Sequence, residues 1–113
     1  MFRNKSAMVL LRKAEDKLKG AETALKQGRY DDCISDAYYA CFQSVLALMT
    51  IRGEAGRKHQ YTRQWVNKEL ARTGSLSLEL TKHYNALMDK RADADYSPEV
   101  VSSFTLRIRL HVI

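Results

Sequence analysis

"GRYDDCISDAYYACFQSVLALM", residues 28–49, is the stretch that decides the fold. Ile34, Tyr38, Cys41, Val45 and Leu48 recur at steps of three and four and, with Met49, mark one apolar face. Tyr39, Phe42 and Leu46 mark a second face. The spacing is helical, and a helix apolar on two sides must be covered on two sides. Residues 30–52 are therefore predicted to form either the central helix of a bundle or half of a dimer interface, with Asp31 as its cap.

Working outward, the flanking windows are helical too. Met8, Leu11, Leu18, Ala21 and Leu25 give residues 5–27 one apolar face, capped by Asn4 or Ser6 and stopped by Gly28. "HQYTRQWVNKELAR" predicts a third helix over 59–72, with Tyr61, Trp65, Val66 and Leu70 inward and Arg63, Lys68 and Arg72 outward. Leu80, Tyr84, Leu87 and Met88 make one stripe of a fourth helix over 77–92. "SPE" signals a fifth, with Ser97 as cap and Pro98 at the first helical position. The tail "FTLRIRLHVI" alternates like a strand, but Val100, Val101, Phe104 and Ile108 also share a helical face. An isolated strand would have no partner here, so helix is the expectation. The fold class is all-α: an up-and-down four-helix bundle with a short fifth helix, one domain over residues 1–113.

The totals narrow the function classes. At 113 residues the chain holds one domain, and 45% hydrophobic with 28% charged residues is a soluble composition. Apolar runs such as Val45 to Met49 are far short of the roughly 18 residues of a membrane span. No basic stretch leads into an apolar one, so no signal peptide is expected and the predicted address is the cytoplasm. The net charge of +6 favours an anionic partner without specifying one. Cys33 and Cys41, two turns apart on one helix, lie about 12 Å from each other along the axis, too far for a disulfide. They read as core residues. No phosphate loop, metal-ligand spacing or nucleophile elbow is present, so no cofactor and no metal are expected.

The order of these pieces resembles the HEPN domain, a small prokaryotic helical bundle. An amphipathic helix is followed by a Gly-x-Tyr turn, then by Asp31, Asp32, Ala37, Tyr38, Tyr39 and Ala40 in an apolar helix. "GRKH", residues 56–59, is similar to the family's basic turn ending in His, and "RTGSLSLEL" to its Thr-Gly-Leu approach to the next helix. "RADADY", residues 91–96, is similar to its Arg-x-x-Ala-Asp-Tyr signature. The resemblance covers roughly residues 10–100. It implies a homodimer, often paired with a small nucleotidyltransferase in toxin–antitoxin systems. Many members are metal-independent ribonucleases, marked by Arg and, four to six residues on, His. Histidine suits proton removal from the 2′-hydroxyl, and arginine's fork suits the phosphorane.

Here the positions after Arg91 hold Asp95, Tyr96 and Ser97 instead of His, and His59, His83 and His111 lie elsewhere. The tail also lacks the charged amphipathic helix that closes such bundles, which points to truncation at the C-terminal end. The candidate contact residues for RNA or nucleotide are Arg91, Asp95 and Tyr96; Tyr38, Tyr39 and Asp36; and Arg57, Lys58 and His59 of the basic loop. Each set also has a plainer reading. Arg91 and Asp95 would finish a helix end through its dipole and a turn. Tyr38 and Tyr39 would be core residues, one bonded to Asp36 or to the Arg91 segment. The basic span from Arg52 to Arg72, with Tyr61 and Trp65 interleaved, would be a solvated face. Two functions follow from the resemblance. One is a dimeric binding module that partners a small nucleotidyltransferase and holds nucleotide or RNA; the other is a ribonuclease toxin with an atypical site. The missing His favours the first.

Overall fold

The computed structural model describes residues 4–54, 59–90 and 94–113, with the backbone alone at 59 and 60. Among them five α-helices occur and no strand: α1 (Lys5–Lys26), α2 (Tyr30–Ile51), α3 (His59–Trp65), α4 (Leu78–Met88) and α5 (Pro98–Val112). A π-helical segment, Val66–Ala71, continues α3. The all-α expectation holds, and no described helix is long and apolar enough to cross a membrane.

α1 begins where the Asn4 side chain accepts the Ala7 N–H at 3.0 Å. It ends at Gly28, whose φ of +72° lets the chain reverse. The Arg29 N–H bonds Ala24 O at 2.8 Å and the Gly28 N–H bonds Leu25 O at 3.1 Å, satisfying two carbonyls the helix end would orphan. α2 starts at Tyr30, as expected, but Arg29 and not Asp31 is the cap position, so Asp31 lies in the first turn.

α1 and α2 pack through small residues. Ala7, Ala14, Ala21 and Ala24 are buried on α1, and Ala37, Ala40, Ser44 and Ala47 on α2. The buried face of α1 is thus set by alanines and Leu11, and Leu25, expected inward, is exposed. α5 runs antiparallel to α1: Pro98 lies near Lys26, Arg109 pairs with Glu15, and Val112 packs by Leu11. Its 15 residues make it longer than α3 or α4, so the fifth helix is not a short appendix. The alternation of "FTLRIRLHVI" yields to helix because Val101, Phe104 and Ile108 then share one buried face.

α2 is the central helix, touching α1, α3, α4 and α5. Its Cys41, Val45, Leu48 and Met49 join Trp65, Val66, Leu70, Tyr84, Leu87, Phe104 and Ile108 in one core. There the Tyr84 and Phe104 rings stack at 5.1 Å and 8°. Cys33 and Cys41 are buried and free, and burial pushes both thiol pKa values up.

Two helix ends differ from expectation. The window 59–72 is not one α-helix: from Val66 it widens, and the Arg72 N–H bonds Asn67 O in the i→i+5 pattern. With about 100° per residue throughout, Glu69 would turn onto the core face and Leu70 would fall at its edge. The π turn keeps Leu70 fully buried beside Thr62 and Val66. Tyr61, expected inward, is exposed and donates its hydroxyl to Glu54 at 2.9 Å. α4 stops at Met88 instead of 92, because Lys90 adopts φ +52° and its N–H bonds Leu87 O at 3.0 Å.

Candidate functional site

Arg91, Arg57 and Lys58 lie outside the described residues, as does the side chain of His59, whose backbone opens α3. The structure does bring three other candidates together. Tyr38, Tyr39 and Tyr96 line one groove of about 330 Å³, with Asp31, Ile34, Ser35, Leu87 and Lys90. The first turns of α2 form one wall, and the end of α4 with the strap to α5 forms the other.

The helix spacing explains this convergence. Residues 31, 34, 35, 38 and 39 share one side of α2, and Leu87 anchors the facing wall in the core. Tyr38 is nearly buried, its ring edge-on to Tyr39 at 5.2 Å and stacked on Phe42 at 6.3 Å. Tyr39 is 39% exposed, so only Tyr38 fits the core reading of the pair. The Lys90 ammonium sits 5.5 Å from the Tyr38 ring centre, a cation over an aromatic face. A left-handed φ on a lysine is uncommon and stores strain. It also fixes where the chain leaves α4.

Asp36 turns away from this groove. It pairs with Lys17 at 3.6 Å and lies against Gly20, where a Cβ would meet its Oδ2 at 2.6 Å. Lys17 in turn holds its ammonium 5.7 Å from the Tyr39 ring centre. Asp95 is exposed, and its Oδ1 accepts the Ser97 N–H at 2.9 Å, closing the turn before α5. Bonds from Ser97, with a smaller contribution from His83, hold its carboxyl below the usual range.

Two imidazoles are described with their side chains. His111 Nε2 is 3.1 Å from Ser75 O, joining the end of α5 to the turn after the π segment. His83 Nε2 is buried with no hydrogen-bond partner among the described residues, and burial lowers its pKa against the opposing pull of Asp95. Neither lines the groove. Its residues supply aromatic faces, one ammonium and one carboxylate, a set that stacks on a base and meets a phosphate. They supply no group that takes a hydroxyl proton at neutral pH.

Sequence reasoning missed Lys90, Asp31 and Ser35. Asp31 and Ser35 follow from the i, i+4 and i+8 relation to Tyr39, but no signal in the sequence marks a left-handed lysine.

The comparisons with known proteins agree with this architecture. The HEPN domain family matches residues 7–107. A "UPF0332 protein" of Thermotoga maritima is 34% identical over 85 residues, 75% of this chain and 64% of that protein. A "putative toxin" of Methanocaldococcus jannaschii is 31% identical over 91 residues, 80% of this chain and 62% of that protein. The chain thus spans just under two thirds of the length of each.

Proposed function

We propose a function from the premise that this chain belongs to the HEPN domain family: it is a dimeric binding module that holds nucleotide or RNA and works with a small nucleotidyltransferase. The observation that carries this reading is the tyrosine-lined groove with Lys90 over Tyr38, lined by no histidine among the described residues. Stacking between a base and Tyr39, with Lys90 and Arg91 on the phosphate, is the recognition this set supports. With no imidazole among the described residues at the groove, the general-base contribution of roughly 10²- to 10⁴-fold is missing, and cleavage is slow. The relative named a "putative toxin" supports a toxin–antitoxin-like setting.

Dimerisation is supported by uncovered apolar side chains. Ile34 and Tyr39 stand exposed beside the groove, and Leu106, Leu110 and Ile113 form an exposed stripe on α5. A second subunit on such surfaces fits the two-fold pairing usual for small oligomers.

The second reading is a metal-independent ribonuclease toxin. The same toxin-named relative favours it. One experiment separates the two: labelled single-stranded RNA and adenosine 5′-monophosphate are incubated without metal with wild type, Arg91→Ala and Tyr39→Ala. Binding that weakens in both variants, with little cleavage by wild type, is expected. Fast wild-type cleavage abolished by Arg91→Ala would establish the ribonuclease instead. Binding unaffected by either change would remove the groove from the account.

A further inference from the structure

α4 has two flanks. Leu87 and Lys90 face the tyrosine groove, whereas Asn85 and Asp89 face the π segment. On that far side lies an open depression of about 680 Å³ lined by Arg63, Gln64, Asn67, Lys68 and Arg72. Three cations and two amides line it, and no carboxylate does.

The π turn creates this face. At about 100° per residue, nine residues from Arg63 would put Arg72 on the opposite side of an α-helix. The wider π turn advances only roughly 80° per residue over Val66–Ala71, which brings Arg72 back to within about 60° of Arg63. Asn67 and Lys68 then fall in the same sector. The acidic residues nearby are directed elsewhere. Asp89 is engaged by the Arg63 guanidinium, with Arg63 Nη2 to Asp89 Oδ2 at 3.0 Å. Glu54 accepts from Tyr61, and Glu69 falls outside the sector. Lys68 and Arg72 make no ion pair among the described residues, while Arg63 is fixed by Asp89 and Asn85.

We infer that this π-segment face is a second contact for a single nucleic-acid strand, gripping its phosphates through Lys68 and Arg72, with Arg63, Asn67 and Gln64 as the polar floor. Lys68 and Arg72 are no more than about 6 Å apart along the axis, a separation suited to neighbouring phosphates of an extended strand. The contact reads charge and not base, so it is independent of sequence and sensitive to salt. The inference builds on the RNA reading of the groove but occupies another surface, and the two can fail separately.

The test measures fluorescence anisotropy of a labelled oligouridylate over a salt series, beside binding of adenosine 5′-monophosphate and of an oligoglutamate peptide. The proteins are wild type, Lys68→Gln/Arg72→Gln and Tyr39→Ala, each checked for native helix content by circular dichroism. Both glutamine changes are at exposed positions, so the fold is retained. The expected result is that the double variant loses about tenfold or more in oligouridylate affinity, and its salt slope falls by about 1.4, while mononucleotide binding is unchanged. Oligouridylate binding and slope equal to wild type would overturn the inference, as would wild type that binds the mononucleotide and no oligouridylate. Oligoglutamate bound more tightly than oligouridylate would also overturn it, in favour of an acidic protein partner. If Tyr39→Ala changes nothing while the double variant loses the oligouridylate, the groove reading fails and this one stands.

Discussion

Asn67 and Asn85 exchange two hydrogen bonds between their side-chain amides, each 2.9 Å long, joining the π segment to α4. Asn85 Oδ1 also accepts Arg63 Nε at 3.1 Å, and Asn67 Nδ2 donates to Arg63 O at 2.8 Å. The three side chains with Asp89 form one connected network, which holds the π register and the position of α4 together.

Loss of one partner strands the other in a half-buried place. Asn85→Ala is expected to cost about 1–3 kcal/mol. In a double-mutant cycle with Asn67→Ala, a coupling of about 0.5–3 kcal/mol is expected from urea denaturation. Additive losses would show that the amide pair is incidental.

Tyr84 carries a buried hydroxyl with no hydrogen-bond partner among the described residues, and burial, its largest influence, pushes its pKa up. Removing an unsatisfied group relieves a desolvation penalty, so Tyr84→Phe is expected to be as stable as wild type or more stable. Phe104→Ala, by contrast, empties the site stacked on that ring and is expected to cost about 3–5 kcal/mol. Thermal melts of the two variants check the pair, and a Tyr84→Phe protein clearly weaker than wild type would reveal an unrecognised partner.

His83 gives the fold a pH dependence on the acid side. Burial holds its pKa below the usual value, with Asp95 acting in the opposite direction. The unfolded chain takes up a proton near pH 6.5, whereas the native imidazole resists until lower pH. Its contribution is therefore complete above about pH 6.5 and is lost as pH falls toward the depressed native value. The lowered Asp95 carboxyl acts later: its share is present above about pH 3.9 and lost below. Denaturation midpoints should fall between pH 7 and 5 in wild type and less steeply in His83→Gln. Parallel profiles would contradict the assignment.

Gly28 is expected to be the least replaceable residue of the α1–α2 turn. At φ +72°, alanine would be strained by about 1–2 kcal/mol. The destabilisation of Gly28→Ala, read from chemical denaturation, should exceed any helix-propensity gain; a neutral change would mean that the turn rearranges freely.

Much of the fold was legible because it rests on period. The two apolar faces of residues 30–52 pointed to a central helix or half of a dimer interface, and "SPE" marked the start of α5 to the residue. The π turn was not legible, since Trp65, Val66 and Leu70 satisfy an approximate i+4 pattern whichever way the helix winds; the choice is made by packing and by Asn85, 18 residues away. The end of α4 was missed for a similar reason. Nothing about lysine favours a left-handed φ, so the break at Lys90 comes from its tertiary setting. The candidate site was half visible: Tyr38, Tyr39 and Tyr96 were singled out and do meet. Asp36 was drawn toward them by its proximity in sequence, whereas the rotation of α2 turns it to Lys17.

The central claim is that the groove between α2 and the end of α4 takes a nucleotide or RNA strand. Its most direct test is two-dimensional amide NMR of the ¹⁵N-labelled protein titrated with adenosine 5′-monophosphate, then with a short single-stranded RNA. The account predicts that the resonances of Ser35, Tyr38, Tyr39, Lys90 and Tyr96 move together and saturate at one ligand concentration. Groove resonances that stay in place throughout, while others move or none does, would contradict it.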